Sequence, residues 1–231
     1  ASRKCSPADC SKKAKSRVST CERAISSRGG SYAPSASMYG ADFTSALSAI
    51  PGIEAWPLRP WTRTTNGADI FSRAGSRNLA VRCSDADVVI LHDADTVLPA
   101  AAYLEAAELA LSSDRLVIGF NRYRPLSKAR TVEAFGGADP FALEPIDELV
   151  DFSVGGVLAI TPECWWAAGG MDERYVDWGC EDFAFADAAG AALGPVLRVD
   201  GPAVHLWHPH AGDPTNPDQQ ANSRLLAGGE R

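Results

Sequence analysis

The chain has 231 residues, with 22 lysines and arginines against 29 aspartates and glutamates and a formal net charge of −7. Its composition, 45 % apolar and 22 % charged, is too apolar for a disordered chain, and no apolar run reaches the roughly 18–20 residues of a membrane helix. Residues 1–30 carry eight basic against two acidic side chains, a balance of +6, and the remainder sums to −13, which excludes a nucleic-acid cradle over the main body.

In chain order, residues 1–50 form a basic, Ser/Ala/Gly-rich N-terminal segment. A helix with weak periodicity is predicted over 8–27 and a loop over 29–40. Residues 51–210 carry the pattern of one α/β domain. Ile53–Leu58 reads as a short strand and Phe71–Arg82 as a helix. Ala86–Leu91 is a continuous apolar run of the kind buried at the centre of a parallel sheet. Pro99 opens a helix through Leu111, rich in alanine, leucine and glutamate, and Leu116–Phe120 is the next strand. Residues 121–150, with three prolines and Gly136-Gly137, read as a long mobile excursion. Val154–Ile160 returns as a buried strand, and Pro162–Ala168 is a short helix stopped by Gly169-Gly170. A helix to Leu193 and strands at Val196–Val199 and Ala203–Leu206 complete the pattern, and residues 211–231 read as a loose tail. Strands alternating with helices argue for a mostly parallel central sheet.

None of the six cysteines forms a CxxC pair, which argues against a zinc site, and the N-terminus has no apolar signal core. The expected compartment is the cytoplasm.

Three stretches carry chemistry. Asp93-Ala94-Asp95 ends the apolar strand, and open α/β sheets bind ligands outside the carboxyl ends of their strands. Two carboxylates so close repel unless a cation joins them, and oxygen donors suit Mg²⁺ or Mn²⁺. The bland alternative is a pair of solvated turn acids. In the second stretch, Gly169-Gly170-Met171-Asp172-Glu173 leads to Trp178-Gly179-Cys180-Glu181-Asp182. Trp178 offers a flat face of the kind that stacks on sugar rings, and two acids at a helix start are held ionised by the helix dipole. Third, three of the four histidines lie in Val204-His205-Leu206-Trp207-His208-Pro209-His210, where imidazoles could complete a metal sphere.

Together with Ser76-Arg77-Asn78-Leu79-Ala80, these stretches resemble the GT-A-fold glycosyltransferases. The likeness is to family-2-like members with a galactosyltransferase-type C-terminal region, over about residues 71–210. The resemblance implies a GT-A-like single domain that transfers a sugar from a nucleotide-sugar donor, UDP-linked, to an acceptor hydroxyl with inversion. It implies Mn²⁺ or Mg²⁺ as cofactor, with Asp93 at the ribose and metal and Asp95 ligating the ion. His205 or His208 would complete the sphere, and Arg77 and Asn78 would lie on the donor side. Trp178 and Gly179 would line the acceptor site, Asp182 would be the base, and Glu181 would hydrogen-bond the acceptor or donor sugar. The acceptor is left open among glycan, protein, lipid and modified nucleobase.

The chain departs from that pattern in showing no apolar opening strand within residues 1–50 and in carrying Cys180 where a small residue is usual. Two rivals stand beside this reading. Asp93-Ala94-Asp95-Thr96-Val97 also fits the nucleophile motif of haloacid-dehalogenase-like phosphatases, with Asp93 attacking phosphate and Asp95 as acid/base. That chemistry needs a downstream lysine, and only Lys128 follows. The other rival is a glycosyltransferase-like domain that binds a sugar or partner without turnover.

Overall fold

The computed structural model describes residues 18–22, 53–57, 62–65, 68–177, 179–209 and 217–228. Its strands in chain order are β1 (Val18–Glu22), β2 (Ile53–Pro57), β3 (Thr62–Thr65), β4 (Ala68–Phe71), β5 (Val88–His92), β6 (Thr96–Val97), β7 (Val117–Ile118), β8 (Arg122–Pro125), β9 (Leu149–Val150), β10 (Val157–Ile160), β11 (Leu197–Arg198) and β12 (Pro202–His205). The helices are α1 (Arg73–Cys83), α2 (Ala100–Ser113), α3 (Lys128–Phe135), α4 (Pro162–Ala167), α5 (Glu181–Leu193) and α6 (Pro217–Gly228).

Among the described residues, one six-stranded sheet runs β11-β7-β10-β5-β1-β2. β1 lies parallel to both β2 and β5, and β11 parallel to β7, while β10 is antiparallel to β5 and β7. A four-stranded sheet runs β6-β12-β8-β9, and β3 and β4 form an antiparallel ribbon. The two larger sheets meet at the end of β5. There the Asp93 N–H donates to the Gly156 carbonyl just before β10 (2.7 Å), and the Leu206 N–H just after β12 donates to the Asp95 carbonyl (2.7 Å).

The core is built as the apolar pattern dictates. Val88 to Leu91 and Val157 to Ile160 are each 1 % exposed or less. The small side chains of α2 (Ala102, Ala106, Ala107, Ala110) let this helix pack closely over β5, β7 and β10, with Tyr103 filling the remaining space. α4 is set by local signals: Thr161 accepts from the Cys164 N–H (3.2 Å), Pro162 occupies the first turn, and Gly169 (φ 93°) turns the chain away. Trp165 of α4 is fully buried against Phe185 of α5, with ring centroids 4.2 Å apart, a pairing that contributes about 0.5–1.5 kcal/mol beyond its buried area.

Three expectations are corrected. The helix predicted over 8–27 gives way at Val18–Glu22 to a strand inside the main sheet, the opening strand that the sequence pattern hid; pairing along both edges outweighs weak local propensity. The excursion over 121–150 is structured: β8 pairs with β12 and β9, and α3 is capped by Ser127, whose side chain accepts from the Arg130 N–H (3.2 Å). Within the expected loose tail, Pro217–Gly228 is helical and anchored by the buried Asn222. The other residues of 1–50 and 211–231 lie outside the described ones. Among the described residues, no helix is long and apolar enough to cross a membrane.

Candidate active site

α1 is the base of the site. Ser72 caps it, its side chain accepting from the Gly75 N–H (3.1 Å), and the helical period then puts Arg73 and Arg77 one turn apart on one face. Both arginines are buried, at 6 % and 2 % exposure. Three carboxylates from two other elements meet them. Arg77 Nη2 donates to Asp93 Oδ1 (2.8 Å), and Arg77 Nη1 donates to Asp182 Oδ1. Arg73 Nη1 lies 2.6 Å from Glu181 Oε1 and 3.6 Å from Asp182 Oδ2. Arg77 thus joins the end of β5 to the first turn of α5 with the two arms of one guanidinium, a geometry that a lysine cannot reproduce.

The electrostatics follow from burial. Desolvation opposes the charge on Arg77, but Asp182, Asp93 and Glu181 outweigh it and raise its pKa. Arg73 is raised in the same way, with Glu181 its largest carboxylate partner. Asp182 is also raised: burial is the first cause, Arg77 pulls against it, and Glu181 pushes with it. Two arginines thus face three carboxyl groups, and at Asp182 burial outweighs the pull of Arg77.

Gly155 lies directly over Asp182. A methyl group built there would collide with Asp182 Oδ2 and sit 3.1 Å from its Cγ. Gly155→Ala is therefore expected to push the carboxylate off Arg77 and to cost about 1–3 kcal/mol, seen as a lower denaturant midpoint in equilibrium unfolding.

The turn into α5 is unusual. Asp177 (φ 61°), Gly179 (φ 106°) and Cys180 (φ 72°) all adopt left-handed conformations, and Cys180 starts the helix without a side-chain cap. The acids of the first turn, Glu181 and Asp182, face the orphan N–H end of the helix, where negative charge is favoured.

On the other side of the Asp93-Ala94-Asp95 turn is a second cluster. Asp95, His205 and His208 each offer one ligand atom, all within 4.8 Å of one another. The β6–β12 register opposes His205 to Thr96, which places it beside Asp95, with His205 Nε2 3.7 Å from Asp95 Oδ1. His208 Nε2 lies 3.3 Å from Asp95 Oδ2. His208 Nδ1 lies 2.9 Å from the Pro209 carbonyl. The carbonyl can only accept, so Nδ1 is the donor there, and Nε2 is the nitrogen turned toward Asp95. His205 stacks on Tyr123 with centroids 5.4 Å apart. Burial, then Asp95 and Asp93, raise the Tyr123 pKa, so its hydroxyl stays protonated. His92 is a core residue: burial lowers its pKa to about 4, and Tyr103 Oη lies 2.9 Å from its Nε2.

The expected site residues divide accordingly. Asp95, His205 and His208 come together. Asp93 turns toward Arg77, away from this cluster. Asn78, expected on the donor side, has another occupation: Nδ2 donates to the Met171 carbonyl (2.8 Å) and Glu173 Oε1 (3.0 Å), and Oδ1 accepts from Trp165 Nε1 (3.0 Å) and the Met171 N–H (2.9 Å). It latches the glycine turn to α4 with every bond it can make. Glu181, 2 % exposed, is taken up by Arg73 and is not open to a sugar. Gly179 lies in the left-handed turn, and Trp178 lies outside the described residues. Arg73 and Gly155 were not singled out from sequence; for Arg73 the signal was present in its spacing of four from Arg77.

No family model matches the chain, and no curated protein matches it by sequence. Solved structures do match in shape. One is a mutant of Drosophila beta-1,4-galactosyltransferase 7 in complex with manganese, UDP-Gal and xylobiose, with a TM-score of 0.52 and 19 % identity over 79 % of this chain and 64 % of that one. Another is GalNAc-T7 with UDP, GalNAc and Mn²⁺, with a TM-score of 0.54 and 11 % identity over 94 % of this chain and 48 % of that one. A third is a mycobacterial protein, with a TM-score of 0.53 and 14 % identity over 92 % of this chain and 72 % of that one. The chain therefore spans less than two thirds of the first two. The likeness is one of fold: the α/β architecture of the GT-A nucleotide-diphospho-sugar transferases.

Proposed function

We propose that this domain transfers a glycosyl group from a nucleotide-sugar donor to an acceptor hydroxyl with inversion, using a divalent cation. The observation that carries the reading is that the Asp93-Ala94-Asp95 turn faces two ways at the end of β5, Asp95 toward the histidine cluster and Asp93 through Arg77 toward the half-buried Asp182. The fold supports it, since of the structures named above the galactosyltransferase holds manganese with UDP-Gal and GalNAc-T7 holds Mn²⁺ with UDP and GalNAc.

The donor set fits an ion. One carboxylate oxygen and two imidazole nitrogens, all within 4.8 Å of one another, are a donor set that would hold a divalent transition ion. The nitrogen donors favour Mn²⁺ over Mg²⁺, which prefers oxygen. When bound there, the cation would supply Lewis-acid stabilisation of the leaving diphosphate. The rest belongs to the chain's own residues. Asp182 takes the acceptor hydroxyl proton as that oxygen bonds to the sugar carbon and the sugar–phosphate bond breaks, and its raised pKa suits proton transfer near neutral pH. Arg77 fixes the carboxylate in one orientation, and Arg73 holds Glu181 so that it cannot compete. Trp178 and Gly179, at the turn before α5, are proposed to line the acceptor site. The setting we propose is the reducing cytoplasm, in keeping with Cys83, Cys164 and Cys180 as free thiols.

Mn²⁺ is expected to raise the melting temperature and EDTA to reverse the gain, which amounts to about 2.7 kcal/mol at a hundredfold excess over Kd. Asp95→Ala and His208→Ala should each abolish the effect. A panel of nucleotide sugars with Mn²⁺ or EDTA then identifies the donor. Donor binding indifferent to the metal overturns the ion assignment. Phosphomonoester hydrolysis lost in Asp93→Asn would favour the phosphatase reading. Against that reading, Lys128 lies over the Trp207 ring, 5.0 Å from its centroid, and Asp93 is paired with Arg77.

A further inference from the structure

The left-handed turn that aims α5 is gripped from outside by α6. Asn222 is 3 % exposed on a helix whose other side chains are half-buried or exposed. Its Nδ2 donates to the Val176 carbonyl (2.8 Å), and its Oδ1 accepts from the Val176 N–H (3.2 Å). One amide thus takes both main-chain groups of the residue that precedes Asp177, as a neighbouring strand would. On the same helix, Ser223 Oγ lies 3.9 Å from Cys180 Sγ, and Gln219 Cγ would lie 3.9 Å from a Cβ built on Gly179. From the opposite direction, Asp177 bridges in parallel fashion to Ser72, the cap of α1 and neighbour of Arg73.

Left-handed conformations at Asp177 and Cys180 are unfavourable for L-residues and persist only where the surroundings over-determine them. The cysteine cap offers no side-chain bond to hold the turn from within. The grip therefore comes from the two flanks, and on one flank it is the paired hydrogen bond of Asn222. We propose that Asn222 is a positioning residue for Asp182: by fixing Val176 it sets the conformations of Asp177, Gly179 and Cys180 and hence the direction in which the first turn of α5 presents its carboxylate. This rests on the glycosyl-transfer reading, in which Asp182 is the base.

The test uses the full chain with Asn222→Ala, and with Arg224→Ala, an exposed position on the same helix, as control. In Asn222→Ala, amide hydrogen exchange should accelerate over residues 173–182, with Val176 foremost, while β5 and β10 keep their protection. Donor and Mn²⁺ affinity should be unchanged, and kcat for transfer should fall by about 10²-fold, the scale of a misplacement near 1 Å. Arg224→Ala should match the parent in every measurement. Unchanged exchange over 173–182 overturns the proposal. So does a fall in transfer that comes with equal loss of donor affinity and of protection in β5 and β10, because Asn222 would then hold the fold and not the base. A parent chain that transfers no sugar overturns the functional reading instead, and the exchange comparison still decides whether Asn222 holds the turn.

Discussion

Asp182→Asn is expected to keep donor and Mn²⁺ binding and to lower the transfer rate by about 10²–10⁴-fold, the usual worth of a positioned general base. Asparagine keeps an oxygen for Arg77 to donate to, so the fold and the α1–α5 contact should survive. A domain that only binds a sugar would show no transfer to lose and the same donor affinity in both forms. The pH dependence is a sharper signature. Because the base acts unprotonated, kcat/KM of the parent should climb with pH through the raised pKa of Asp182, and the variant should lose that limb. Stability runs the other way. A carboxyl whose folded pKa lies above its unfolded value contributes stability that is fully present below the ordinary aspartate range and is lost as pH rises through the folded value. Above that window the variant should therefore unfold at a higher denaturant concentration than the parent. A variant that is slower but less stable at neutral pH would mean that Asp182 is a structural acid.

Arg77→Met should be the most destabilising single change in the site. Methionine fills much of the same space without charge, so Asp93 and Asp182 lose their guanidinium contact with Arg77 while Arg73 keeps Glu181 and Asp182. Breaking a buried ion pair by removing one partner costs about 3–5 kcal/mol, because the other charge stays desolvated. Denaturant unfolding should show that loss at neutral pH and a smaller one as the carboxylates protonate in acid. A loss under about 1 kcal/mol, the scale of an exposed pair, would mean that water reaches the network.

The main sheet and its loops were legible where the signal is local. Val88 to Leu91 is a continuous apolar run, and the glycines at 169 and 170 mark the end of α4, so the Asp93-Ala94-Asp95 turn could be placed at a strand end. β1 was hidden because Val-Ser-Thr-Cys-Glu carries no apolar run; it is a strand by virtue of β2 and β5 on its two sides. The small sheet was hidden because β8 and β12 pair across some eighty residues of sequence, and because Pro125, which closes β8, reads locally as a breaker. The histidine cluster was found because it is contiguous. The role of Asn78 was not, since nothing local distinguishes an amide facing a ligand from one that latches a turn. Arg73 and Gly155 act only through partners more than twenty residues away in the chain, Glu181 and Asp182, which periodicity cannot reveal.

On the proposed reading, the small sheet would act as a caliper for the ion. Asp95 and His205 are held apart by the β6–β12 ladder, and the Leu206 N–H closes on the Asp95 carbonyl at 2.7 Å, so their separation is a main-chain dimension. On the glycosyl-transfer reading, an ion there would meet two of its donors already placed by the main chain. This is the opposite of a zinc finger, in which metal binding and folding are one event.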